Sequence, residues 1–150
     1  MARIPDLFLD TSVVFAGIWS PSGGARKLLK LGEVHALNLW VSSQVLVEIE
    51  NVLRRKAPQA LGTLALLLDR SRASVLAEVS VKMIAECQSL IGYRPDAVIV
   101  AAAWEARVDY FVTLDRKHFL DNQRLHQAAP FAIGTPGSCL KWYRTLRAIH

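Results

Sequence analysis

Five short stretches of apolar and β-branched residues punctuate the chain, at 6–10, 37–41, 74–79, 110–114 and 131–134. Most are continuous rather than alternating, which is the pattern of strands covered on both faces. Between them the apolar spacing turns helical, at 24–31, 43–56, 60–72, 81–91, 97–106 and 138–149. Strands alternating with helices predict a parallel sheet of five strands, and right-handed crossovers place helices on both of its faces. The expected fold is therefore α/β, a three-layer α/β/α sandwich. No repeat, low-complexity segment or linker divides the chain, so residues 1–150 are expected to form a single domain. "SPSGG" and "GTPGS" read as turns leading into helices. In the final helix, "SCLKWYRTLRAIH", Trp142, Leu146 and Ile149 form a packing stripe with Tyr143 at its edge. Lys141, Arg144 and Arg147 recur every third residue on another face, either as a solvated edge or as contacts for a polyanion.

One residue breaks this pattern. In "LFLDTSVVFAGIWS" the carboxylate Asp10 interrupts an apolar strand that continues into an apolar segment, with no cation nearby in sequence. Burying an unpaired carboxylate costs several kcal/mol or forces it to take up a proton. Whatever holds Asp10 there bears on function.

Composition narrows the options. A chain of 150 residues buries roughly two-thirds of its unfolded surface as one compact unit. The apolar fraction of 52% and mean hydropathy of +0.24 suit elements covered on both faces. The longest apolar run, near 97–104, falls well short of the ~18 residues of a membrane span. The start "MARIPDLFLD" enters a strand without a secretory pattern, so a cytoplasmic protein away from membranes is expected. Cys87 and Cys139 lie in no metal-binding spacing and read as small buried residues. A net charge of +5 leans toward a polyanionic partner.

In an open parallel sheet, ligands bind beyond the carboxyl ends of the strands, where the strand order reverses. Asp10 closes the first strand, and Asp115 closes "YFVTLD". Asp96 starts a helix whose N-terminus lies at the same edge, and Glu48 lies in the second turn of the helix at 43–56. Glu48 shares a stripe with Val45, Ile49 and Val52, whereas Glu50 has Arg54 at i+4 and belongs outside. Each acid also has an ordinary reading: Asp96 as an N-cap, Asp115 in a turn, Glu48 reaching solvent. Together, four carboxylates at one edge repel one another unless a cation neutralises them, and an all-oxygen set suits Mg²⁺ or Mn²⁺ rather than zinc.

"FLDTSVV", the inward Glu48, "PDAVIVAAAWEARVDYFVTLD" and "RKHF" together resemble the PIN-domain ribonucleases, most closely the VapC-like toxins of bacterial toxin–antitoxin pairs. The resemblance covers nearly the whole chain. It implies catalytic acids at Asp10, Glu48, Asp96 and Asp115, with supporting hydroxyls at Thr11, Ser12 and Thr113. It also implies metal-dependent cleavage of RNA, a homodimer and an antitoxin partner. Three positions depart from the family's habit: Ser12 stands where members usually have Asn, Arg107 where a glycine ends the helix, and Lys117 where some carry a further acid.

On this reading Asp10, Asp96 and Asp115 hold one or two ions, and Glu48 acts directly or through a water. Hydrolysis by an activated water then leaves a 5′-phosphate. Arg116 and Lys117 are candidates for substrate contact, with Arg26, Lys27 and Lys30 as a second basic cluster. His118 and His126 are expected at the surface or behind the ligands, and His35 and His150 at the surface. Trp104 and Trp142 fit the core, while Trp19 sits in a loop. A phosphatase with Asp10 as nucleophile would carry a second Asp at the position of Ser12. A receiver domain needs an early acidic pair that "DT" does not supply. The remaining alternative is a non-catalytic PIN-like module that binds RNA or a partner protein.

Overall fold

The computed structural model describes residues 3–149, with side chains as far as Ala148; the Ile149 side chain and His150 lie outside the described residues. Five strands form one parallel sheet: β1 (Asp6–Leu9), β2 (Asn38–Ser42), β3 (Ser74–Leu76), β4 (Tyr110–Val112) and β5 (Ala132–Gly134). Their spatial order is β3-β2-β1-β4-β5, so the direction of winding reverses between β1 and β4. The helices are α1 (Thr11–Trp19), α2 (Gly24–Glu33), α3 (Ser43–Lys56), α4 (Leu61–Ser71), α5 (Val81–Leu90), α6 (Arg94–Glu105), α7 (Gln123–Ala128) and α8 (Pro136–Ile149). Helices α1, α2, α4 and α8 pack as one group and α5 with α6 as another, completing the α/β/α sandwich. No described helix is long and apolar enough to cross a membrane.

Continuous apolar runs do mark the central strands. Leu7, Phe8 and Leu9 of β1 and Phe111 and Val112 of β4 are fully buried, and Phe8 stacks on Phe111 at 5.6 Å. The edge strands β3 and β5 are short and partly exposed. Both cysteines are buried and free.

Besides a short 3₁₀ turn at Pro58–Ala60, three elements escape the sequence pattern. Helix α1 occupies the apolar segment after Asp10. Its buried residues Val13, Val14, Gly17 and Ile18 follow helical spacing, but apolar Phe15 and Ala16 between them hide the period. The short α7 buries only Leu125 and depends on Asn122, whose side chain caps it by accepting from the Leu125 N–H. The third element is a wide, π-type turn at Arg116–Leu120, closed by Leu120 N–H to Asp115 O and Asp121 N–H to Arg116 O.

The stripe on α8 is displaced by one position from the expected one. Cys139, Leu140 and Tyr143 are the buried residues, while Trp142 and Leu146 flank them, Trp142 against the Tyr110 ring at 5.0 Å. Arg147 turns back over Tyr143 and donates to its hydroxyl, leaving Lys141 and Arg144 as the free basic edge. Trp104 is half-buried, edge-on to Phe131. Trp19 ends α1 rather than lying in a loop, and it is 56% exposed.

Candidate active site

Asp10 follows β1 and Asp115 follows β4, so the two acids flank the point where strand order reverses. Asp10 is 4% exposed and pairs with no cation among the described residues. Two hydroxyls hold it instead. Thr113 Oγ1 donates to Asp10 Oδ2 at 2.7 Å and Ser12 Oγ donates to the same oxygen at 2.9 Å. Each hydroxyl in turn accepts a backbone N–H, Thr113 from Asp115 and Ser12 from Leu114. This stitches the end of β1 to the end of β4. Burial pushes the Asp10 pKa up, against the pull of the Thr113 and Ser12 bonds.

Asp96 does not cap α6. The helix begins three residues earlier than its apolar pattern, with Tyr93 at the N-cap and Pro95 in the first turn, and Asp96 lies inside that turn. Pro restricts the residue before it but suits a helix start, which explains the earlier boundary. Its side chain is 13% exposed, and burial raises its pKa to about 6; His118 opposes the shift, while Asp10, Asp115 and Glu48 add to it. Asp10, Asp115 and Glu48 therefore all lie within electrostatic reach of Asp96.

Glu48 accepts from Thr11 Oγ1 at 3.0 Å and from Gln44 Nε2 at 3.0 Å. Glu50 pairs with Arg54 at 3.4 Å on the outer side of α3. Thr11 thus ties Glu48 to the residue next to Asp10.

His118 is where the structure departs most from the sequence reading. It lies among the acids, with Nδ1 at 3.0 Å from Asp96 Oδ2 and at 3.0 Å from Asp115 Oδ2. Ligand atoms of Asp96, Asp115 and His118 fall within 4.8 Å of one another, a group that Asp10 and Glu48 do not join. The signal was its position three residues after Asp115, which matters only once the chain there winds into the wide turn. Phe119, fully buried against Phe111 at 5.0 Å, anchors that turn. Asp115 Oδ1 caps it by accepting the His118 N–H. His126 stays outside, its ring nitrogen 3.1 Å from Phe119 O.

Arg116 and Lys117 are exposed at the rim, Arg116 beside Asp121 at 3.5 Å. Arg26 is not free for a ligand, because it donates to the Gly17 and Ile18 carbonyls; Lys27 and Lys30 are exposed. A groove of about 620 Å³ lies at the opposite edge of the sheet, lined by Arg3, Pro5, His35, Asp109, Trp142 and Leu146, remote from the acids.

Four carboxylates around one switch point, one of them buried without a cation, fit a divalent ion in charge and in donor type. A family model for the PIN domain matches residues 6–117. The chain belongs to the PIN-domain family. Its members are generally nucleases. No curated protein sequence matches it at a significant level. Among solved structures, this PIN domain is similar to VapBC2 from Rickettsia felis bound to a DNA fragment of its promoter. That likeness has TM-score 0.64 at 20% identity, covering 86% of this chain and 96% of the other. DNA-bound VapBC from Salmonella typhimurium gives TM-score 0.67 at 14% identity, covering 88% and 98%. Mycobacterium tuberculosis VapC20, described as a sarcin–ricin loop cleaving toxin, gives TM-score 0.56 at 17% identity, covering 75% and 92%. At these identities the likeness speaks for the fold.

Proposed function

We propose that this PIN domain is a Mg²⁺- or Mn²⁺-dependent endoribonuclease, acting as a single-domain cytoplasmic toxin with an antitoxin partner and working as a homodimer. The observation that carries the reading is the convergence of Asp10, Glu48, Asp96 and Asp115 on one edge with no lysine or arginine paired to them among the described residues. Such a cluster is costly for the bare fold and useful to a metal enzyme.

Asp96, Asp115 and Asp10 would hold the ion, with Glu48 reaching it directly or through a water. A bound divalent ion supplies a water of lowered pKa and counter-charge for the phosphodiester in its transition state. Thr113 and Ser12 keep Asp10 in one orientation at the end of β1. Thr11 and Gln44 do the same for Glu48. Arg116 and Lys117 at the rim would meet the RNA backbone and draw it toward an otherwise acidic surface. The toxin role is favoured by the VapBC likenesses, and the RNA substrate by the family together with the basic rim.

The test is to incubate the purified chain with cellular RNA in Mn²⁺ and in EDTA and to map new 5′ ends. New 5′-phosphate ends that appear with Mn²⁺, vanish with EDTA and are absent with Asp10→Asn are expected. Ends that persist in EDTA or with that variant would count against the reading. A chain that binds RNA but never cuts it would be the non-catalytic module.

A further inference from the structure

We propose that His118 supplies a nitrogen ligand to the divalent ion, making the centre a mixed nitrogen–oxygen site that favours Mn²⁺ over Mg²⁺. The inference rests on the metal-centred reading above. His118 Nδ1 lies 3.0 Å from a carboxylate oxygen of Asp96 and 3.0 Å from one of Asp115. In octahedral coordination with metal–ligand bonds of roughly 2.1 Å, neighbouring ligand atoms sit about 3 Å apart. The imidazole nitrogen thus has the spacing of an adjacent ligand to each carboxylate oxygen, and ligand atoms of all three residues fall within 4.8 Å of one another.

The imidazole is held in that place rather than swung there by chance. Its backbone N–H is bound to Asp115 Oδ1, its backbone carbonyl accepts from Asn122 Nδ2, and its ring stacks on Tyr93 at 5.7 Å. The neighbouring Phe119 is locked into the core. A single ring nitrogen carries at most one proton, and of the two carboxylate oxygens at equal distance only that of Asp115 meets it in hydrogen-bond geometry. A cation among the three atoms would satisfy all of them at once. Imidazole nitrogen suits Mn²⁺ and the later transition metals, whereas Mg²⁺ prefers oxygen and keeps its waters, so the ligand also sets selectivity.

Mn²⁺ bound to the purified chain can be interrogated by pulsed electron paramagnetic resonance for coupling to nitrogen. Calorimetric affinities for Mn²⁺ and Mg²⁺ are measured alongside, for the parent chain and for His118→Gln. Nitrogen coupling is expected in the parent and in His126→Gln, and its loss in His118→Gln. Mn²⁺ affinity should then fall about tenfold or more while Mg²⁺ affinity changes by less than about threefold. Should His118→Gln not fold, ¹⁵N-histidine labelling of the parent must alter the coupling pattern. Mn²⁺ bound through oxygen alone, or both metals weakened alike, overturns the histidine ligand and leaves the metal-centred reading standing. A parent chain that binds no Mn²⁺ removes both.

Discussion

Asp10 illustrates how much a buried charge depends on two hydroxyls. Replacing it with Asn keeps an acceptor for Thr113 and Ser12 and removes the desolvated charge. Asp10→Asn should therefore abolish metal-dependent cleavage while leaving the melting temperature in EDTA unchanged or higher; a clear drop would show that the carboxylate stabilises the bare fold. Asp96 makes a pH prediction. In the folded chain it keeps its proton up to about pH 6, whereas an unfolded Asp releases it near 4. The folded state binds more protons across that window, so metal-free stability falls as pH rises from about 4 through 6, by about 3 kcal/mol from this group. The raised Asp10 acts in the same direction. Denaturant unfolding in EDTA between pH 4 and 7 should show this slope, and Asp96→Asn should flatten it. A stability that climbs with pH in the parent and not in the variant would reverse the assignment.

At the scale of the elements, the turn after α6 holds Arg107 at φ 55°. Its N–H reaches Trp104 O and the Val108 N–H reaches Ala103 O, a left-handed helix end that glycine adopts most easily. Arg107→Gly should stabilise the chain by roughly 0.5–1 kcal/mol, visible as a higher denaturation midpoint at unchanged slope. The converse holds at Gly32, where α2 crosses β2 and the end of α4. A Cβ there would lie 2.6 Å from Leu39 Cδ1 and 2.9 Å from the Ser71 carbonyl, and the backbone oxygen cannot move aside cheaply. Gly32→Ala should cost about 1–3 kcal/mol. The wide turn at Arg116–Leu120 is the element on which the site depends most, since it brings His118 to Asp96 across the mouth of the sheet.

For the molecule as a whole, the proposed ribonuclease reading of an acidic site in a chain of net charge +5 has RNA held mainly by its phosphates. Affinity for a non-cleavable RNA should fall steeply with added salt, and Arg116→Ala with Lys117→Ala should reduce that slope by about two charges' worth. Salt-insensitive binding would argue for a different surface.

Much of this was legible from residue order. Continuous apolar runs mark buried strands whatever packs on them, and the positions of Asp10, Asp96 and Asp115 at strand and helix ends place them at one edge by topology alone. Glu48 was separable from Glu50 because Arg54 stands at i+4 from only one of them. Helix α1 was hidden, since a segment apolar on every side shows no period. His118 and the true start of α6 were hidden for a related reason: both depend on how the chain turns after a strand or around a proline, and Phe119 packing on Phe111 decides that turn. Local pattern reports which faces avoid water. Which side chains then meet across a hundred residues is settled by packing, because contacts at that range leave no periodic trace along the chain.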